Sequence, residues 1–308
     1  MEQYIRSGFA GFIYDFKDFD YTRTAYNLIR KHGYPHEFYY VNFTDMNRTY
    51  RFNPLDRRNI KDRTMLMQLM EDVLGALMPP TSKQDEWYTG ALGILNGVAY
   101  RFWDEFPECC TLPHIFNFVM KADTEQLQEF LKLNDISAMM AGAYLKAKGS
   151  EKTQASYVST LSNYVAKLTT NENICYVLTG NDFDFNLINP EHPKLFAISN
   201  NYATESVISP VIAMVMSIAS RSFSMENRVP FVFILDEMTT FKVRDFEKLP
   251  SVLREYGAAF LLLTQSEGKL EKLHSKLDRS SIETNFGNIF LGRTQDVEAL
   301  KYYPLFFG

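Results

Sequence analysis

The stretch FVFILDEMTTF at residues 231–241 joins five apolar residues to an acidic pair, Asp236 and Glu237, and then to a polar turn. A continuous apolar run that ends abruptly in charge is typical of a strand buried in a parallel sheet. Ligands of such sheets bind beyond the carboxyl ends of the strands. A carboxylate pair at that edge is suited to holding Mg²⁺ and activating water, but the same pattern also arises where a strand ends in solvated carboxylates.

The segments around this stretch alternate between apolar runs and helical patterns. Every late predicted strand ends in a polar or charged group, and most neighbouring strands are separated by segments with apolar side chains at a spacing of three and four. The predicted strands cover residues 8–15, 37–43, 193–199, 230–237, 258–266 and 288–294. Strands that alternate with helices indicate an α/β fold with a mostly parallel sheet covered on both faces.

A long helical block interrupts this alternation. From about residue 61 to 170 the chain has apolar residues at helical spacing, few β-branched runs, and loops marked by Pro, Gly or Ser. The sequence therefore predicts an all-α inserted domain at residues 61–180, with an α/β core formed by residues 1–60 and 181–308.

Composition excludes several classes of protein. The chain has 308 residues, of which 46% are hydrophobic, so a disordered protein is excluded, and its net charge of −5 gives no global attraction to DNA or to an anionic membrane. Three cysteines without a CxxC pair indicate neither a disulfide framework nor a zinc site, as expected in a reducing cytoplasm. The longest mostly apolar run, residues 207–220, is shorter than the ~20 residues of a membrane span and is predicted as a buried helix.

The strand ends suggest specific chemistry. Asp236 is suited to holding a water on Mg²⁺, Glu237 to polarising the attacking water of a phosphoanhydride hydrolysis, and Gln265 to sensing the γ-phosphate. The alternative is a pair of solvated carboxylates and a turn-forming glutamine. No match to the phosphate-binding loop GxxxxGK[ST] occurs in the 308 residues, so nucleotide affinity is expected to be poor.

Several motifs in a fixed order resemble the type IV coupling proteins, the TraG/TraD-like DNA-pumping ATPases of conjugation and type IV secretion. In the second half, these motifs are FVFILDEMTTF, EKLPSVLREYGAAFLLLTQSEGKLE (247–271) and TNFGNIFLGRTQDVEALKYYPLFFG (284–308). Near the start, GFIYDFKDFD (11–20) resembles the family's Asp-Pro-Lys-Gly strand end, with Phe16 and Asp18 in place of Pro and Gly. FNPLD (52–56) matches its Asn-Pro-Leu turn. The resemblance covers nearly the whole chain and suggests a Bacteroides-type member.

This resemblance implies a RecA-like P-loop NTPase core with an inserted all-α domain, and ATP and Mg²⁺ as cofactors. Asp236 and Glu237 take the Walker B positions, as the magnesium holder and the catalytic base. Gln265 takes the sensor position, and Arg254 takes the place of the arginine that reaches the nucleotide of a neighbouring subunit. The alternative for Arg254 is a helix C-terminal arginine that complements the helix dipole. Lys17 and Arg293 lie near the same edge without an assigned role.

The family's phosphate loop and membrane helices lie upstream of the first strand of this chain. We therefore expect a fragment that lacks the Walker A loop and neither binds ATP tightly nor hydrolyses it. A missing central strand is expected to leave a groove in the sheet. The family forms hexamers, whereas the isolated chain is expected to be monomeric.

The implied function is that of the cytosolic part of a coupling ATPase at the cytoplasmic face of the bacterial inner membrane. It would link a relaxase–DNA complex to the transfer channel, with secretion-channel ATPases and membrane components as partners. The alternative is a non-catalytic module whose helical domain recognises a relaxosome or secretion partner. Hexameric DNA translocases of the septal or repair type are disfavoured, because they lack a helical block at this point.

Direct DNA binding has one candidate segment, residues 47–63, in which basic and aromatic residues are interleaved. In a hexameric ring, Arg57 and Arg58 would face the pore and contact phosphates, with an affinity that falls as the salt concentration rises. The simpler alternative is a solvated connector between the two domains.

Overall fold

Five strands form one parallel sheet in the computed structural model, which describes residues 1–78, 83–224, 229–293, 300–301 and 304. The strands are β1 (Ala10–Asp15), β2 (Glu37–Val41), β3 (Lys194–Ser199), β4 (Phe231–Leu235) and β5 (Ala258–Leu262). Their order across the sheet is β2-β3-β1-β4-β5, and every neighbouring pair is parallel. The predicted α/β fold with a parallel sheet is confirmed.

Helices cover both faces of the sheet and fill the long segment between β2 and β3. Before β3 they are α1 (Glu2–Arg6), α2 (Asp20–His32), α3 (Arg63–Leu77), α4 (Glu86–Glu105), α5 (Leu112–Lys121), α6 (Thr124–Lys132), α7 (Asp135–Met140), α8 (Gly142–Lys146), α9 (Glu151–Thr169) and α10 (Glu172–Leu178). After β3 they are α11 (Glu205–Arg221), α12 (Leu249–Arg254), α13 (Glu267–His274) and α14 (Lys276–Thr284). Helices α3–α10 lie where the sequence predicts an all-α insertion, whereas the division into domains stays a prediction.

The apolar runs form strands because both faces of the sheet are buried. On one face, Phe12 and Tyr14 of β1 belong to a core shared with α11 and the helices between β2 and β3. On the other face, Ile13 packs in a smaller core with residues of α1 and α2. A strand buried on both sides needs no alternation of polar and apolar residues, which explains the uninterrupted run in β4.

Polar side chains define where many of the helices begin. At each of these helix starts, the side-chain oxygen of an Asp, Asn or Thr accepts a hydrogen bond from a backbone amide of the first turn. These capping residues include Asp62, Asp85, Thr111, Asp123, Asn134 and Asn171. The predicted buried helix is α11, and within the described part of the chain no helix has the length and apolarity required to cross a bilayer.

Two expectations about the sheet are wrong. Residues 288–293 contain no strand, and Phe290 among them is 89% exposed; Thr294, the last residue of that predicted strand, lies outside the described residues. The expected groove is also absent between the described strands, because each is hydrogen-bonded to its neighbour without a gap. Strand β5 pairs only with β4 among the described residues, and a strand-like sequence such as 288–293 needs a backbone partner to become a strand. The predicted final helix lies mostly outside the described residues.

Candidate functional site

The acidic pair lies directly beyond β4, at the carboxyl edge of the sheet. The backbone amide of Asp236 donates to the carbonyl oxygen of Tyr14 at 3.1 Å, which continues the pairing of β4 with β1 by one residue. At Glu237 the backbone turns into the left-handed region, with φ 49° and ψ 56°, and a short 3₁₀ turn (Met238–Thr240) follows. A non-glycine residue in this region carries local strain and is enriched at functional sites.

The Asp236 carboxyl group is buried, and one of its two oxygens has no hydrogen-bond partner among the described residues. Asp236 is only 7% exposed, and its Oδ2 accepts no hydrogen bond from any residue that the structure describes. Burial raises the pKa of this carboxyl group; the positive charge of Lys17 and the backbone amide of Phe16 act in the opposite direction. The nearby carboxylates of Asp15 and Glu237 raise the pKa further. An unpaired, buried, acidic oxygen of this kind is suited to a cation that the protein alone does not supply.

The loop after β1 forms the other wall of the site. Asp15 is fully buried, and its Oδ2 accepts hydrogen bonds from the backbone amide of Thr22 at 2.9 Å and from the Thr22 hydroxyl at 3.0 Å. Its Oδ1 accepts from the backbone amide of Lys17 at 3.0 Å. Asp15 therefore fixes the loop that carries the exposed Lys17, whose positive charge acts on Asp236. Asp18 and Phe19 in this loop both have positive φ values.

The two members of the acidic pair differ in their partners. Glu237 is 5% exposed, and its Oε1 accepts a hydrogen bond from the Thr239 hydroxyl at 2.5 Å. The Thr240 hydroxyl donates to the carbonyl oxygen of Glu237 at 2.9 Å and is hydrogen-bonded to the Tyr14 hydroxyl at 2.6 Å. Glu237 is therefore held at both its backbone and its carboxylate, whereas Asp236 keeps one oxygen free of partners.

Gln265 lies at the same edge of the sheet, three residues beyond the end of β5, the strand next to β4. The backbone of Leu263 donates to Leu235 at 3.0 Å and accepts from the amide of Met238 at 3.3 Å, so the chain after β5 runs beside the acidic turn. Gln265 follows two residues later and is exposed. The sequence predicts a strand at residues 258–266 beside the acidic strand; β5 does pair with β4, but it ends at Leu262, so Gln265 lies beyond the strand.

Arg254 lies at the opposite edge of the sheet. It ends α12, and its carbonyl oxygen accepts from the amide of Gly257, whose own carbonyl oxygen pairs with Phe231 at the start of β4. Asp236 follows Phe231 by five residues, which at ~3.3 Å per residue places Asp236 about 16 Å from the end of β4 that lies near Arg254. The exposed Arg254 side chain therefore does not belong to the Asp236 site of its own chain.

The two central arginines of the candidate DNA segment bond to other groups of the chain. Arg57 donates from Nε to the carbonyl oxygen of Trp103 at 2.9 Å and from Nη2 to that of Asp104 at 2.8 Å, with its guanidinium over the Trp103 ring. Arg58 pairs with Asp56 at 2.9 Å and also contacts Asn181. These bonds tie the segment to the helices, as expected of a connector.

The site fits Mg²⁺ better than it fits a nucleotide phosphate. Among the residues that the structure describes, no group of three His, Cys, Asp or Glu side chains converges as a protein-only metal centre. Mg²⁺ commonly keeps several waters and binds through one or two carboxylates plus substrate phosphates, and the free Oδ2 of Asp236 meets that requirement. For the phosphates, the positive charge of Lys17 acts on Asp236, and the 308 residues contain no GxxxxGK[ST] loop.

Two features of the site are missed by reasoning from the sequence. Thr239 and Tyr14 are ordinary residues in the sequence, and their roles depend on how the turn after Glu237 folds against β1. The consecutive threonines after the acidic pair were the only available signal, since Thr side chains often bond to groups two or three residues away.

Comparisons with known proteins agree with this architecture. A profile of the family described as "Type IV secretory system Conjugative DNA transfer" matches residues 13–304. The coupling protein TraD of Escherichia coli (strain K12) is 24% identical over 241 residues, which cover 75% of this chain and 33% of TraD. The chain thus spans about a third of this curated relative.

Solved structures of similar fold include the conjugative coupling protein TrwB. The unbound form of TrwBdeltaN70 superposes with a TM-score of 0.63 at 12% identity, over 90% of this chain and 66% of that one. TrwB in complex with ADP and Mg²⁺ gives a TM-score of 0.61 at 13% identity, over 90% and 68% of the two chains. At these identities the likeness establishes the fold.

Proposed function

Because the chain belongs to the type IV secretory system family of conjugative DNA transfer, we propose that it is the cytosolic motor part of a coupling ATPase. In this role it links a relaxase–DNA complex to the transfer channel and uses ATP hydrolysis to drive transfer. The observation that carries the proposal is the unpaired, buried Oδ2 of Asp236, which lies beside Glu237 at the carboxyl edge of a parallel sheet.

The two carboxylates of the acidic pair have different roles in this proposal. Asp236 holds Mg²⁺ through its free oxygen, and the ion, when bound, neutralises negative charge on the phosphate oxygens. Glu237 orients the attacking water and accepts its proton at the carboxylate. Lys17, in the loop after β1, adds a positive charge that acts on Asp236, at the edge where the phosphates would lie.

The remaining predicted residues complete the site from two directions. Gln265, exposed on the neighbouring strand end, is placed to hydrogen-bond a γ-phosphate or the attacking water. Arg254, about 16 Å from Asp236 along β4, acts on the nucleotide of an adjacent subunit and stabilises charge on the transferring phosphoryl group. This division requires an oligomer, and we propose the ring-shaped homo-hexamer that the sequence resemblance implies.

The location and partners follow from the same proposal. The chain acts at the cytoplasmic face of the bacterial inner membrane, with secretion-channel ATPases and membrane components as neighbours. The helices between β2 and β3 contact the relaxase–DNA substrate or its protein partners. Because Arg57 and Arg58 bond within the chain, DNA contact through residues 47–63 is not part of this proposal.

Mating experiments test the function in cells. Glu237→Gln, introduced into the native gene, removes the proton acceptor while keeping the size of the side chain. We expect DNA transfer from the donor cells to fall by at least about 100-fold, with protein abundance unchanged. The matched control is Glu255→Gln, an exposed glutamate near the opposite sheet edge, for which transfer should stay at the wild-type frequency. Wild-type transfer by Glu237→Gln donors would contradict the proposal.

A non-catalytic binding module is the second candidate, favoured by the lack of a GxxxxGK[ST] loop in the 308 residues. In that case Glu237→Gln leaves transfer unchanged, while substitutions on the helices between β2 and β3 abolish it. Calorimetry adds an independent observation on the chain itself. We expect residues 1–308 to show no micromolar affinity for ATP, because the backbone donors of a phosphate loop are not among them.

A further inference from the structure

We propose that Thr239 is a positioning residue for Glu237, holding its carboxylate in the orientation that activates water. The inference rests on the proposed function, since it assigns Glu237 the role of the proton acceptor. It adds a residue to which the sequence motifs give no role.

The first observation is that the Glu237 carboxylate is buried and has few hydrogen-bond partners among the described residues. The residue is 5% exposed, and the Thr239 hydroxyl, at 2.5 Å from Oε1, is the one hydrogen-bond donor seen on this carboxylate within the described residues. A hydrogen bond to an ionised group is roughly twice as strong as a neutral one. One hydroxyl therefore decides which way the carboxylate points.

The second observation is that the turn carrying Thr239 is itself fixed to the sheet. The next residue, Thr240, bonds through its hydroxyl both to the Glu237 carbonyl oxygen at 2.9 Å and to the Tyr14 hydroxyl at 2.6 Å. Tyr14 is fully buried in β1, and its ring lies edge-on against Phe241 at 4.7 Å. The bonds of Thr240 thus fix the turn that carries Thr239 to a buried strand.

The third observation is the backbone of Glu237. Its left-handed conformation, with φ 49°, is disfavoured for a residue with a side chain and persists where surrounding contacts fix it. The two threonine hydroxyls supply such contacts, one to the side chain and one to the backbone. The strained turn and the hydrogen-bonded carboxylate form one unit, which orients Glu237 towards the edge shared with Asp236.

The test compares three variants of the protein, each expressed from its native gene, by steady-state ATP hydrolysis. Thr239→Val keeps the shape of the side chain and removes the hydroxyl, Thr239→Ser keeps the hydroxyl, and Thr153→Val removes a threonine hydroxyl at the distant start of α9. We expect Thr239→Val to lower kcat about 10- to 100-fold with an unchanged KM for ATP, because misplacing a reacting group costs up to about 100-fold. Thr239→Ser and Thr153→Val should hydrolyse ATP at the wild-type rate.

Three outcomes overturn the inference in distinguishable ways. If Glu237→Gln abolishes hydrolysis but Thr239→Val hydrolyses at the wild-type kcat, the positioning role is wrong and the proposed function stands. If Glu237→Gln hydrolyses normally, the proposed function itself fails. A Thr239→Val variant that loses kcat and is not rescued by serine at the same position also contradicts the inference, since the hydroxyl is then not the cause. Circular dichroism of each variant checks that the fold is retained.

Discussion

Replacing Asp236 by asparagine should stabilise the unliganded chain while removing its proposed metal ligand. The carboxylate is buried with Oδ2 unpaired, and the carboxylates of Asp15 and Glu237 are close enough to oppose its ionisation. An unsatisfied buried polar group costs about 1–3 kcal/mol, and more when it is charged. Because the neutral amide still lacks some partners, we expect a gain of about 1–2 kcal/mol near neutral pH.

Thermal unfolding measures this gain. At ~2.1 cal/mol/K for each residue, the unfolding entropy of a chain of this length is about 0.65 kcal/mol/K, so Tm should rise by about 2–3 °C. The pKa of Asp236 is raised in the folded state, so ionisation costs stability at neutral pH, and this cost disappears as the pH falls towards the ordinary value of 3.8. The gain should therefore shrink on acidification.

The control and the refuting results are specific. Asp20→Asn removes an exposed carboxylate from the first turn of α2, where it complements the helix dipole, so this variant should gain no stability. An Asp236→Asn variant that unfolds at or below the wild-type Tm at pH 7.5 would refute the reasoning. A gain of equal size at pH 4 would refute it too, because that gain could not arise from the charge.

Two further predictions concern parts of the chain outside the acidic pair. Gly180→Ala should lower the free energy of unfolding by about 1–3 kcal/mol in urea titrations, because the added Cβ would overlap the Cβ of Arg51. The control is Gly142→Ala, in a helix with open space around the glycine. This variant should leave the free energy of unfolding unchanged or raise it by up to about 1 kcal/mol. Burial and the charge of Lys242 lower the pKa of His274 to about 4 in the folded protein. Between pH 6.5 and about 4 this histidine is therefore protonated only in the unfolded chain, and the free energy of unfolding should fall by about 3 kcal/mol across that range. His274→Gln should abolish that loss, and replacing the exposed His192 by Gln should leave it intact; equal acid sensitivity of both variants would show that His274 is not the source.

The sequence predicts the sheet well because burial on both faces leaves a strong local pattern. The run before Asp236 contains five apolar residues and forms β4 as residues 231–235. In a parallel sheet the carboxyl ends of neighbouring strands lie side by side, so the placement of Gln265 beside the acidic turn could be anticipated. The opposite placement of Arg254 is also implicit in its position before β5, since a residue preceding a parallel strand lies at the amino edge.

Other features depend on long-range contacts that a local pattern does not encode. Residues 288–293 have the composition of a strand, yet no described backbone pairs with them. Arg57 and Arg58 look like surface cations in the sequence, but carbonyl oxygens and a carboxylate within the fold engage them. The bond from Thr239 to Glu237 requires a left-handed glutamate, and sequence propensities predict that conformation for glycine or asparagine instead.

The most direct test of the central claim is ATP hydrolysis by the protein expressed from its native gene with Glu237→Gln, measured together with its affinity for ATP. The proposed roles of the two carboxylates predict a loss of hydrolysis of at least about 100-fold, with ATP affinity unchanged from the wild type because the substitution leaves Asp236, the proposed metal ligand, in place. Hydrolysis at the wild-type rate would contradict the assignment of this edge of the sheet as the hydrolytic site.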